Sequence, residues 1–444
     1  MLTSLRTAFP RSPVPEQYDT TPACAARLDA EDPLAHMRDE FVMPVGPNGE
    51  AEVYLVGNSL GLQPRAVRTY IDAELDKWGR LGVKGHTEAD REPTFPWGSY
   101  EESLNHQMAA VVGAEPEEVV VMNGLTVNLH LLMTTFYRPT QERFKVLIEE
   151  HAFPSDHFAA ASQVRHHGRS AEEALVTVSP RPGEDLLNAE DLMAAIAEQG
   201  DELALVLLPG VHYYTGQVLP LADLVDAAHR VGAMVGFDLA HAVGNIPLGL
   251  HDSGADFAAW CTYKYLNSGP GATAGCFVNQ RHLERTDLNR FEGWWGTDKA
   301  TRFQMDTVFN PIPTVEAWQL SNPPVFSMAP IRASLEVFER AGGMGPLREK
   351  SEKQIAYLDH LLDEVLAGRV ESITPRPLTE RGCQFSLRVT ADGHTGRGVF
   401  DALEAKGVAC DWRHPDVIRI APVPLYNSFA DMHRFVQVLD GILS

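Results

Sequence analysis

Three residues in one stretch carry groups that can work together. Asp238 closes the apolar run Ala233–Asp238 (AMVGFD), and His241 follows three residues later. Lys264 comes 26 residues after Asp238, beyond a second apolar run, Phe257–Cys261. A carboxylate at a strand end can keep a pyridine nitrogen protonated. A lysine amine one strand further on can condense with an aldehyde. Together they suit pyridoxal phosphate, whose protonated ring accepts an electron pair. Each residue also has a plainer use, since a strand-end Asp often caps the next helix and most lysines are solvated charges. Tyr263 and Tyr265 frame this lysine, and the turn Asn267-Ser268-Gly269-Pro270-Gly271 follows it, which is unlike a surface lysine.

A phosphate needs donors. Met122-Asn123-Gly124-Leu125-Thr126 follows an apolar run and opens a helical pattern, so its free N–H groups and the Thr126 hydroxyl can cradle an anion. Thr126 as a simple helix cap is the competing reading. Phe153-Pro154-Ser155-Asp156 also follows an apolar run; Phe153 can stack on a planar ring and Asp156 can bond its polar edge. An exposed Phe-Pro turn would look the same. Arg419, inside Val417-Ile418-Arg419-Ile420-Ala421, is a charge in an apolar strand and needs an anionic partner, for which a substrate carboxylate would serve. The glycines at 269, 271 and 275 have the wrong spacing for a dinucleotide loop, and no GxxxxGK[ST], HExxH or GxSxG motif occurs. The 17 histidines form no metal-binding pattern; His166-His167 and His151 with His157 read as surface residues.

These residues need a scaffold that presents strand ends to one face. Short apolar runs at 118–122, 145–148, 203–208, 233–238, 257–261 and 275–278 alternate with helical patterns at 65–81, 99–113, after Thr126 and at 221–231. Near-continuous apolar strands indicate a sheet covered on both faces, so the class is α/β with a largely parallel sheet. His241 is expected at the start of a helix. Prolines at 311, 313, 323, 324 and 330 punctuate the chain before one long helix (331–367) and alternating segments at 384–389 and 417–421. The expected division is an arm over 1–50 packing on the small domain, a large domain over 51–320 and a smaller α+β domain over 321–444. The 444 residues are 44% hydrophobic and 22% charged, which is globular. A formal charge of −23 argues against nucleic acid or an anionic membrane as partner. No apolar stretch approaches a secretory signal or the roughly 20 residues of a membrane span. The five cysteines, at 24, 261, 276, 383 and 410, form no CxxC pair, so a reduced cytoplasmic setting is expected.

At the level of whole motifs the chain resembles the kynureninase family of pyridoxal-phosphate enzymes, fold type I. The resemblance rests on GNSLGLQP (57–64), NGLTVNLHLLM (123–133), AFPSDH (152–157), YYTGQ (213–217), GFDLAHAVGN (236–245), YKYLNSGPG (263–271), GWWG (293–296), SNPP (321–324), RGCQFSL (381–387) and IRIAPVPLYNSF (418–429). It implies hydrolysis of L-kynurenine and 3-hydroxy-L-kynurenine to anthranilate or 3-hydroxyanthranilate and L-alanine, in tryptophan catabolism and NAD biosynthesis. Lys264 would carry the cofactor and Asp238 would face its ring nitrogen, with Asp156 and His241 nearby. Phe153 would stack on the ring, and Leu125, Thr126, Pro154, Ser155 and Tyr263 would hold the cofactor and its phosphate. Tyr214 would serve phosphate binding and proton transfer. Trp294 and Asn322 would cross a homodimer interface into the partner's site. Arg419 would bind the substrate carboxylate, and His86 with Asn322 would lie by its aromatic ring. Pro209 stands where that family can carry a hydroxyl residue, so no cofactor bond is expected there. A class V aminotransferase or a cysteine desulfurase is the alternative; the latter needs a mobile nucleophilic thiol, and Cys383 leads straight into an apolar segment.

Overall fold

The structure, a computed structural model, describes residues 18–444. The first part of the expected 1–50 arm therefore lies outside the described residues. Seven strands form the central sheet: β1 (Val119–Val121), β2 (Lys145–Glu149), β3 (Leu175–Val178), β4 (Leu203–Pro209), β5 (Met234–Asp238), β6 (Phe257–Trp260) and β7 (Gly275–Val278). Their order is β1-β7-β6-β5-β4-β2-β3. The neighbours from β6 through to β3 are parallel, and β7 runs antiparallel to both β1 and β6. Every residue of β4 is buried, as an apolar strand covered on both faces must be. The carboxyl ends of β2, β4 and β5 thus bring Glu149, Pro209 and Asp238 to one edge, where an open α/β sheet keeps its ligands.

Four antiparallel strands make the second sheet: β8 (Val370–Ser372), β9 (Phe385–Val389), β10 (Asp411–Arg413) and β11 (Val417–Ile420), in the order β8-β9-β11-β10. Its core joins Leu358, Phe385, Ile418, Ile420 and Phe435 to Cys24, Leu28, Val53 and Leu55 from the other end of the chain. Asp29 accepts hydrogen bonds from the N–H groups of Phe429 (2.7 Å) and Ala430 (3.1 Å), a negative charge at the start of the last helix. Residues 53–61 run between the two sheets. The Val53 N–H donates to the Gly407 carbonyl (3.0 Å), the Leu55 N–H to the Ala409 carbonyl (2.9 Å), and the Ala421 N–H to the Leu55 carbonyl (2.7 Å).

Several expectations change. The single helix over 331–367 is two, Val325–Arg340 and Met344–Val365, because Gly342 and Gly343 take φ +83° and +79°, which ends a right-handed helix. No helix starts at His241; the chain makes turns there, and Gly244 at φ +79° forbids their extension. The Phe153 segment is no loop. Phe153 caps a helix, Pro154–His166, with proline at its favoured first position. Strand β3 and helix Ala189–Gln199 went unread in the sequence, the former because its outer positions are only partly buried. Among the described residues no helix is long and apolar enough to cross a membrane.

Candidate active site

Asp238 ends β5, and the turns after it carry His241 back beneath the loop that holds Lys264. Lys264 Nζ lies 2.9 Å from His241 Nε2. Burial, and then the charge of Lys264, push the His241 ring well below its ordinary pKa, so it is neutral. Its Nε2 therefore accepts from the lysine and its Nδ1 carries the proton. That Nδ1 is buried without a partner among the described residues. Asp238 Oδ1 accepts from the Ala240 N–H at 2.7 Å. Burial raises both Asp238 and Asp156, and Asp156 much further, because it faces the charge of Asp238 and bonds to it. Asp156 thus holds a proton and donates it to the Asp238 carboxylate. Its Oδ1 is buried and unpartnered. Phe153, 44% exposed, lies with its ring centroid 6.0 Å from Lys264 Nζ.

Two helix starts meet beside this cluster. The helix Leu125–Phe136 is capped by Gly124, so Thr126 sits in its first turn rather than at the cap. The Thr126 hydroxyl is 2.7 Å from that of Ser155, in the first turn of Pro154–His166. Asn123 takes φ +50° just before the first helix, and its amide donates to Asn128 Oδ1 (3.0 Å). Free N–H groups and two hydroxyls at converging positive helix ends suit a phosphate. The residues fit pyridoxal phosphate as a set: an amine, a carboxylate pair with an open oxygen, an aromatic platform and an anion cradle.

The second sheet closes the other side. Arg419, 1% exposed, already has an anionic partner: its Nη2 donates to Asp411 Oδ2 at 2.8 Å and its Nη1 to the Tyr213 carbonyl at 2.6 Å. Its Nε is buried without a partner. Asp411 also accepts from Ser59 and pairs with Arg413 (2.7 Å). The GNSLG segment explains itself here. The Gly61 N–H donates to the Tyr263 carbonyl (2.8 Å), and a Cβ on Gly61 would stand 2.2 Å from the Lys264 carbonyl oxygen. Only glycine allows the backbone so close to the lysine's loop.

The other expected residues divide. Leu125, Thr126, Phe153, Pro154, Ser155, Asp156, Asp238, His241, Tyr263 and Lys264 lie on the segments just described. Tyr263 is half-buried beside Cys261, and burial pushes its hydroxyl up strongly. Tyr214 departs from expectation: its hydroxyl donates to Asp416 Oδ1 at 3.3 Å, and burial with that carboxylate raises it to about 12. Trp294 is 46% exposed and meets Phe303 edge-on; Asn322 and His86 are exposed, and His86 lies edge-on to Trp97. Among the described residues none of these three bonds or stacks with Lys264, His241, Asp238 or Phe153. Pro209 closes β4 directly beside Asp238. Tyr213 was passed over in the sequence, although YYTGQ contains it. All five cysteines are buried, and burial lifts the Cys383 thiol to about 12, which removes the thiol a desulfurase needs. No metal-binding group of side chains occurs among the described residues.

Comparison with known proteins follows from the same segments. Residues 347–439 match the family model described as the kynureninase C-terminal domain. The chain is 53% identical over 427 residues to the kynureninase of Myxococcus xanthus, covering 96% of this chain and 98% of the relative. It is 52% identical over 413 residues to that of Xanthomonas campestris pv. campestris (strain B100), covering 93% and 96%. Among solved structures, a cysteine desulfurase from Escherichia coli superposes with a TM-score of 0.72 at 17% identity, over 92% of this chain and 98% of that one. A form of C-DES with glycine covalently linked to its PLP cofactor gives 0.72 at 16%, over 91% and 99%. At such identities the likeness is one of fold alone.

Proposed function

The chain belongs to the kynureninase family, and from this premise we propose that it hydrolyses L-kynurenine, and 3-hydroxy-L-kynurenine, at the Cβ–Cγ bond. The products are anthranilate, or its 3-hydroxy form, and L-alanine. The observation that carries the reading is Lys264 held 2.9 Å from a neutral, buried His241, beside the Asp238–Asp156 pair.

Pyridoxal phosphate, when bound, supplies an aldehyde for the amine and a protonated ring that draws electrons from the attached carbon. The residues would do the rest. Thr126, Ser155 and the N–H groups of their helices hold the phosphate. Phe153 fixes the ring plane, and Leu125, Pro154 and Tyr263 fill the surroundings. Asp238 stays anionic because Asp156 gives it a proton-bearing neighbour, so it can keep a positive ring nitrogen in place. His241 Nε2 aims Lys264 Nζ, which takes the proton from the substrate's α-carbon. Arg419 receives the α-carboxylate. Water then adds to the γ-carbonyl, and the Cβ–Cγ bond breaks. The aryl half leaves as the acid and the other half is protonated to alanine. Trp294, Asn322 and His86 face outward and serve the site of a second copy in a homodimer.

The test is an absorbance spectrum of the purified protein, followed by L-kynurenine in the same cuvette. The expected result is a visible band from a lysine-bound cofactor, then anthranilate fluorescence with one alanine per anthranilate. Lys264→Ala is expected to lose both band and turnover. A band with neither anthranilate from L-kynurenine nor 3-hydroxyanthranilate from 3-hydroxy-L-kynurenine would sink the hydrolase reading and return the transaminase one. Normal turnover by the alanine variant would remove Lys264 from the chemistry.

A further inference from the structure

Four tyrosines lie on the segments around the lysine, and their hydroxyls meet different surroundings. Tyr214 donates to Asp416. The Tyr263 hydroxyl faces Cys261, and that of Tyr265 is sealed in the core beside Cys383, without a hydrogen-bond partner among the described residues. Tyr213 differs: it is only half-buried, so its hydroxyl, which has no hydrogen-bond partner among the described residues, is not sealed in the core. Its ring meets Phe153 edge-on (5.3 Å, 82°), lies 6.5 Å from the His241 ring and 6.0 Å from the Arg419 guanidinium carbon.

The backbone around it is fixed. The Tyr213 carbonyl accepts from Arg419 Nη1 (2.6 Å) and Gln384 Nε2 (3.0 Å). His212, wholly buried, tilts against the ring (5.4 Å) and takes a hydrogen bond from the Thr215 N–H at 3.3 Å. A half-buried ring held this firmly, with one free polar atom, is placed rather than merely packed.

We propose that Tyr213 is a catalytic residue of this hydrolase, its phenol donating a hydrogen bond to the substrate's γ-carbonyl oxygen. The assignment rests on the functional reading above. Arg419 would take the carboxylate and Phe153 the face of the cofactor ring, and the Tyr213 ring borders both, which puts its phenol beside the substrate chain that joins them. As the oxygen of water bonds to the γ-carbon, the carbonyl π pair moves onto the carbonyl oxygen. The proton lost by the water ends on that oxygen, and the phenol keeps its own. Its donor is strongest while charge builds there, which is how a fixed donor lowers such a barrier. Burial raises the Tyr213 hydroxyl above its ordinary value, so it stays protonated at neutral pH.

Tyr213→Phe, prepared as holoenzyme, separates the steps. The expected variant keeps the parent's cofactor band and exchanges the substrate's α-hydrogen in deuterated water at near the parent rate. Its kcat for anthranilate release falls by about 10²-fold, the usual loss for one such donor, with KM within threefold. A kcat within threefold of the parent overturns the proposal. So does a rise in KM alone, which would place the phenol at the carboxylate, or an equal loss of α-exchange, which would mean the ring only positions Lys264. A parent that shows the band but cleaves neither substrate overturns the functional reading, and this assignment with it.

Discussion

Arg419 keeps an internal counter-ion at 2.8 Å and still presents an unpartnered Nε. Asp411 does not depend on it, because Arg413 and Ser59 also bond that carboxylate. Removing the guanidinium should therefore spare the fold and strike the substrate. Arg419→Ala is expected to raise KM for L-kynurenine by at least about thirtyfold, roughly 2 kcal/mol or more. Steady-state kinetics at matched thermal stability checks this, and an unchanged KM would take Arg419 out of the site. Its sequence signal was a charge inside VIRIA. Its partner was invisible there, because Asp411 opposes Arg419 only once β10 and β11 pair. Tyr213 and Tyr214 show the same limit: two adjacent tyrosines have one sequence context, and only the fold sends one hydroxyl to Asp416.

At the scale of elements, the sheet has chemistry at one end and a polar clamp at the other. Asp256, just before β6, accepts from the Val235 N–H (2.7 Å), His229 Nε2 (3.0 Å), His282 Nε2 (2.8 Å) and Arg281 Nη2 (2.5 Å). Burial alone would raise this carboxyl, but the histidine bonds and the Arg281 charge outweigh burial and hold it well below the usual carboxylate range. The unfolded chain, with an ordinary value near 3.9, therefore binds the proton more readily than the folded one. The clamp's stabilisation is complete above that value and is lost as pH falls through the folded pKa. Asp256→Asn is expected to destabilise the protein by about 3 kcal/mol at pH 7, as for a broken buried pair, with the gap to the parent narrowing below about pH 4. Thermal melts from pH 3 to 8 check it; a gap independent of pH would contradict the ionic account. The strands that frame the site were legible because each is a short apolar run between helical patterns. The break at Gly342-Gly343 was missed because the periodicity resumes on both sides of it.

For the whole molecule, the proposed homodimer predicts complementation between dead chains. Lys264→Ala lacks the lysine, and Trp294→Ala lacks the aromatic side chain lent to a partner. If sites are shared, a mixed dimer has one doubly damaged site and one intact site. Equal mixing with exchange should then restore about a quarter of the parent's turnover, since half the dimers are mixed. No restoration after verified exchange would show that Trp294 serves its own chain. The mostly parallel sheet was readable, but the path of residues 53–61 was not, since nothing local marks a segment whose partners lie some 200 to 370 residues away. That path has a consequence for biogenesis. The emerging polypeptide can assemble its large sheet long before residues 407–421 leave the ribosome, yet Val53 and Leu55 wait until then with unpaired edges. Gly61, which seats the lysine's loop, hangs on the same thread. A nascent chain is thus kept from maturing its reactive amine until residues 407–421 have emerged.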